Sequence, residues 1–117
     1  MSFESKPTEI LLASDINNMG STVFCLPGNI TNVSGYCIQA IWSDGSPVGI
    51  MSLQASIDST SDNWSDIPNS SLPVPTVAGE TNNIFNVSKH AYYNFVRLKY
   101  TRTSGNGILI VYMVSKS

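Results

Sequence analysis

The sequence predicts an all-β fold, a single antiparallel sandwich or jelly roll of about eight short strands. No long stretch sustains the 3.6-residue apolar period of a helix. Turn-forming clusters recur instead, at Asn17–Gly20, Pro27–Asn29, Asp44–Pro47, Ser59–Asn63, Pro73–Gly79 and Ser104–Gly107. Between them lie short segments of alternating apolar and polar residues, the period of a strand with one face in a core. A length of 117 residues fits one domain, read as an N-terminal arm with a short edge strand over residues 1–20 and a sandwich over residues 21–117.

Each element follows from its local pattern. Glu9 to Ala13 is a short first strand and Thr22 to Leu26 a second. Tyr36 to Ser43 alternates, with Tyr36, Ile38, Ala40 and Trp42 on one face and Cys37, Gln39 and Ile41 on the other. Gly49 to Asp58 alternates most cleanly. Met51, Leu53, Ala55 and Ile57 are expected inward, and Ser52, Gln54, Ser56 and Asp58 in water. Trp64 to Ile67 and Asn83 to Ser88 are short strands. Asn94 to Thr101 places Val96, Leu98 and Tyr100 inward and Phe95, Arg97 and Lys99 outward. The segment Thr103 to Gly107 reads as a hairpin turn leading into a last strand, Gly107 to Ser115. That strand is apolar on both faces. Either its own domain covers both sides, or another subunit covers the outer one; a two-layer sandwich favours the second. The expected subunit interface is therefore Ile108, Ile110, Tyr112 and Val114, with Phe95.

Composition narrows the function classes. Only 12% of residues are charged, about half the usual share, and Ser, Thr and Asn replace them. Such neutral polar surfaces suit extracellular and virion β-proteins. Net charge is −2 and only Arg97, Lys99 and Arg102 cluster, too few cations for a nucleic-acid face. The longest apolar run, Gly107 to Val114, is far short of a membrane helix, so neither nucleic acid nor membrane is an expected partner. The first residues carry no apolar signal region, and the expectation is a chain made and left in a host cytoplasm. There Cys25 and Cys37 behave as small hydrophobes, a reducing compartment disfavouring a bridge between them.

No pattern for catalysis stands out. His90 follows Ser88-Lys89 in a turn without a nucleophile motif, and reads as a loop histidine. The carboxylates are scattered. Asp58, Asp62 and Asp66 are hard oxygen ligands, but their loop lacks the mid-loop Gly and terminal Glu of a calcium-binding hand and reads as a polar hairpin connection. No metal, cofactor or catalytic residue is expected. Trp64, with Asp62 and Asn63, is the one candidate carbohydrate contact, because an aromatic ring can stack on the apolar face of a sugar.

Five segments carry a resemblance. Ile38-Gln-Ala-Ile-Trp42 is followed by Met51-Ser-Leu-Gln-Ala-Ser-Ile-Asp58 and Asn63-Trp-Ser-Asp-Ile67, then by Tyr93 to Gly105 and Gly107 to Tyr112. Their order and spacing, over residues 36–115, resemble small β-sandwich virion proteins of tailed bacteriophages, and the framework is similar to discoidin-like sandwiches. The sequence departs from that pattern at Ile57, where a turn-forming Asn is more usual, and in a longer proline-rich stretch, Leu72 to Gly79. The resemblance implies a non-enzymatic structural protein of the virion, a capsid decoration or head-fibre component. Its implied partners are further copies of itself, as a trimer, and the major capsid protein or other virion proteins. The alternative is a tail-fibre or spike domain for host attachment through surface carbohydrate.

Overall fold

The computed structural model describes residues 8–13, 19–31, 33–58, 63–75, 77–88 and 93–116. Ten strands run through them: β1 (Thr8–Ala13), β2 (Val23–Phe24), β3 (Gly28–Asn29), β4 (Gly35–Ser43), β5 (Val48–Ser56), β6 (Ser65–Asp66), β7 (Leu72–Val74), β8 (Asn82–Ser88), β9 (Phe95–Ser104) and β10 (Ile108–Lys116). All pairings are antiparallel. A four-stranded sheet has the order β1-β10-β4-β8; a six-stranded sheet has the order β2-β9-β5-β6, with β3 also on β9 and β7 also on β5. The two sheets pack face to face as a β-sandwich, the architecture the alternating segments predict.

The core is built by alternation. Tyr36, Ile38, Ala40 and Trp42 of β4 and Leu109, Val111 and Met113 of β10 point from one sheet. Met51 and Leu53 of β5 and Val96, Leu98 and Tyr100 of β9 meet them from the other. Met19, Cys25, Ile30, Val74 and Phe85 close the cluster at its margins. The one indole N–H of Trp42 donates to Glu80 O at 3.0 Å, so this buried ring keeps its hydrogen bond.

Four sequence expectations change. The segment Thr103 to Gly107 is not a hairpin turn: β9 pairs with β5, whereas β10 pairs with β1 and β4, so the chain crosses between sheets there. The β4–β5 connection is a second crossing of the same kind, and the two corners touch. A Cβ on Gly45 would lie 2.1 Å from Asn106 O, and one on Gly105 (φ 72°) 2.1 Å from Ser46 O, so only glycine lets these backbones meet. Strand β5 ends at Ser56 rather than Asp58. The Ser56 hydroxyl accepts from Asp58 N at 3.2 Å, turning the chain and leaving Ile57 72% exposed instead of in the core. Gln54 and Ser56, expected in water, are each only 7% exposed. Finally, β3 and β7 are strands that the turn-rich reading left as loop. Pro73 in β7 is tolerated because the strand lies at the edge of its sheet, pairing only with β5.

Candidate functional site

The sandwich has two outward faces of opposite character. On the four-stranded sheet, Ile108, Ile110, Tyr112 and Val114 of β10 all point outward and are half-buried. Register aligns Ile110 with Ile41, Tyr112 with Gln39 and Val114 with Cys37, and Gln39 in turn with Ile84. Ile84 is 49% exposed. Cys37, Gln39, Tyr112 and Val114 line a shallow depression of 290 Å³. The aligned positions of β4, β8 and β10 from Ile108 to Val114 carry no charged residue, while Glu9 of β1 aligns with Val114 at the sheet edge.

The six-stranded sheet carries the charge. Arg97 of β9 lies between two aromatic rings contributed from either side, Phe24 of β2 at 4.6 Å and Trp64, just before β6, at 4.3 Å from the ring centres. Its Nε donates to Gln54 Oε1 at 2.9 Å, and Gln54 Nε2 donates to Asp66 Oδ1 at 2.9 Å. That chain of contacts explains why Gln54 is buried on an outward face. Lys99 places its ammonium 5.5 Å from the same Phe24 ring. Cation–π contacts of this kind contribute about 0.5–1 kcal/mol each where water reaches them.

The sequence-predicted residues therefore fall on different surfaces. Ile108, Ile110, Tyr112 and Val114 share one face, but Phe95, aligned with Ser56, belongs to the opposite sheet and cannot join them in one flat contact. Trp64 stands in the Arg97 stack. Asn63 is exposed beside it and lines, with Ala55, Ile57, Asp58 and Tyr93, a 570 Å³ groove. Asp62 and His90 lie outside the described residues. Phe24, Gln54 and Arg97 were not named as site residues from sequence. Alternation did place Arg97 outward; its partners come from strands distant in sequence.

Both cysteines are free, Cys25 in the core and Cys37 on the outer face of the other sheet, pointing apart. Burial pushes the Cys25 thiol up to about 12, with the charge of Arg97 pulling weakly the other way. Burial, then the 3.4 Å contact with the Tyr93 hydroxyl, raises Tyr36 above the ordinary phenol range. Asp58 and Asp66 do not gather a metal-ligand set: among the described residues no three His, Cys, Asp or Glu side chains come together.

No family model matches the chain, and no curated protein matches it in sequence. Among solved structures it is similar to a chain from the structure of infectious bursal disease virus, Gt strain, at 9% identity and TM-score 0.48, covering 97% of this chain and 32% of that one. A chain from the Gx strain of the same virus gives 13% identity and TM-score 0.41, covering 95% and 33%. Dimeric latent PorU from Porphyromonas gingivalis gives 10% and 0.43, covering 98% and 13%. This chain thus spans about a third of the length of the first two. At such identities and scores the likeness carries no function across.

Proposed function

We propose that this chain is a non-enzymatic structural protein of a virus particle, a capsid decoration or head-fibre component of a tailed bacteriophage, that assembles through the outer face of its four-stranded sheet. The observation that carries the reading is the apolar character of that face. Ile41, Ile84, Ile108, Ile110, Tyr112 and Val114 adjoin across three strands. A solvated outer face of a sandwich alternates to polar residues; this one does not, and each methylene removed from water there contributes about 0.8 kcal/mol to association. The rest of the composition supports the same reading: neutral Ser, Thr and Asn in place of charge, and segments that resemble phage virion proteins over residues 36–115.

The partner proposed for that face is further copies of the chain, as a trimer, seated on the major capsid protein. Sedimentation of the purified protein tests it, beside Ile110→Glu and Tyr112→Glu. An oligomer that both substitutions reduce to folded monomers supports the interface; a native chain that stays monomeric and does not bind particles lacking it overturns the proposal. Copies per particle, counted by mass spectrometry against the major capsid protein, separate head from tail.

A second reading is favoured by the other sheet. The aromatic and basic cluster of Phe24, Trp64 and Arg97 suits a tail-fibre or spike domain that touches host carbohydrate, with exposed Asn63 next to Trp64. Glycan-array binding lost in Trp64→Ala supports it, and silence across a broad array counts against it.

A further inference from the structure

We infer that the free edge of β8 is a strand-pairing site for a second copy of this chain, the two β8 strands lying antiparallel about a two-fold axis at Ile84. This goes beyond the assembly proposed above, which uses the face of the four-stranded sheet and not its edge.

A sheet edge invites further strands, and chains guard their edges with charge, proline, bulges or brevity. Among the described residues three of the edges are guarded in this way. Strand β1 slips register between Leu11 and Ala13 and carries Glu9. Strands β2 and β3 are two residues each, while β6 and β7 share one edge in short pieces that hold Asp66 and Pro73. Strand β8 has none of these devices. Its sequence, Asn-Asn-Ile-Phe-Asn-Val-Ser, is free of charge and proline, and its seven residues pair with β4 without a break in register. Among the described residues no strand lies on its other side.

The backbone of β8 is aimed for such a contact. Trp42 N donates to Thr81 O at 2.8 Å, so antiparallel alternation gives β4 the bonds of Asn83 and Phe85 and turns those of Asn82, Ile84 and Asn86 outward. The Ile84 N–H donates to Asn83 Oδ1 at 2.8 Å, a side chain standing where the carbonyl of a next strand would. Ile84 itself is 49% exposed. A two-fold axis there sets Ile84 beside its own copy and aligns Asn82 with Asn86, residues whose amides both donate and accept. A second copy is the occupant because an uncharged edge offers a charged strand nothing to recognise, whereas against itself it matches apolar to apolar and amide to amide. The axis runs across the sheet, so Ile84, Gln39 and Tyr112 of both copies continue one outer face. The contact closes at two copies, and so links oligomers built through that face in pairs.

Sedimentation equilibrium of the full chain tests the edge. Ile84→Lys and Ile84→Glu should each weaken self-association by about a hundredfold, because every pair carries the change twice, and an equimolar mixture of the two should restore it. Asn82→Pro removes one outward N–H and leaves the β4 ladder and the apolar face in place, and should weaken association by about tenfold. Asn82 and Ile84 are both exposed, so circular dichroism of the variants should match the native chain. A mixture that associates no more tightly than its parts, or association unmoved by Asn82→Pro, overturns the inference. An oligomer that Ile110→Glu breaks and Asn82→Pro spares would leave the face reading standing and the edge refuted. Association lost in Asn82→Pro and kept in Ile110→Glu supports the edge and sinks the face; a native chain that is monomeric at every concentration sinks both.

Discussion

Replacing Ser70 with Ala should cost more than any other loss of a single hydroxyl from this chain. The outer edge of β5 is covered in two pieces, by β7 over Gly49–Met51 and by β6 over Gln54–Ala55. Leu53 falls in the gap. Its carbonyl accepts from Ile67 N at 2.8 Å, and its N–H finds no strand, donating to Ser70 Oγ at 3.0 Å. The same hydroxyl donates to Ile67 O at 2.7 Å, which ties the end of β6 to the start of β7. Pro68 and Asn69, the latter at φ 61°, make the tight turn that delivers Ser70 to this place. Ser70 is only 8% exposed, so no bulk water stands ready to replace it. Ala leaves a buried N–H without an acceptor, at about 1–3 kcal/mol. For a chain of this length the unfolding entropy is about 250 cal/mol/K, so 2 kcal/mol lowers Tm by about 8 °C. Urea unfolding followed by tryptophan fluorescence measures it, with exposed Ser71→Ala as the control and an unchanged m-value as the check on two-state behaviour. A Ser70→Ala midpoint indistinguishable from that of Ser71→Ala would refute the reasoning.

Other substitutions probe other parts of the sandwich. Gly49→Ala puts a Cβ 2.3 Å from Thr101 O and 2.8 Å from the Tyr100 ring, and should destabilise by about 3 kcal/mol in the same urea assay. The Tyr100 hydroxyl is buried with no hydrogen-bond partner among the described residues, so Tyr100→Phe should be neutral or raise stability by about 1 kcal/mol; a clear loss would reveal a missed partner. Ile57→Ser, at an exposed turn, should shift stability by less than about 0.5 kcal/mol, where a core isoleucine would lose several times that. The Cys25 thiol ionises at 9.0 when unfolded and near 12 when folded, so its contribution is complete below pH 9 and is lost as pH rises towards 12. Between about pH 8 and pH 10 the native chain should lose about 1.4 kcal/mol that Cys25→Ala does not lose. Equal losses in the two proteins would refute the assignment.

How much of this was legible in sequence depends on what fixed each element. The faces of β4, β9 and β10 were readable because each long strand carries its own alternation, and burial of Tyr36 to Trp42 and of Val96 to Tyr100 follows it. Strands β3 and β7 were not, since two or three residues become strands only through the partner they meet. The turn residues around Gly105 suit a hairpin or a corner equally; which sheet takes the next strand is decided by packing across the whole domain. At Ile57 a clue was present, for the resembling proteins carry a turn-forming Asn there, yet unbroken alternation outweighed it. The Arg97 stack shows the opposite limit. Its outward direction was local information, while Phe24, Trp64 and Gln54 arrive from three other parts of the chain.

The two touching corners have a kinetic consequence. They join β4 to β5 and β9 to β10, and the central ladder of each sheet pairs the first member of one couple with a member of the other. Gly35 must find Lys116, and Val48 must find Ser104, before either ladder is complete. No neighbouring strands form a long ladder that stands alone on the way, so most of the loop-closure entropy is spent before contacts repay it. Docking of one corner on the other brings both ladders into register together. The chain should therefore fold slowly, in milliseconds to seconds, with its two sheets appearing in a single step.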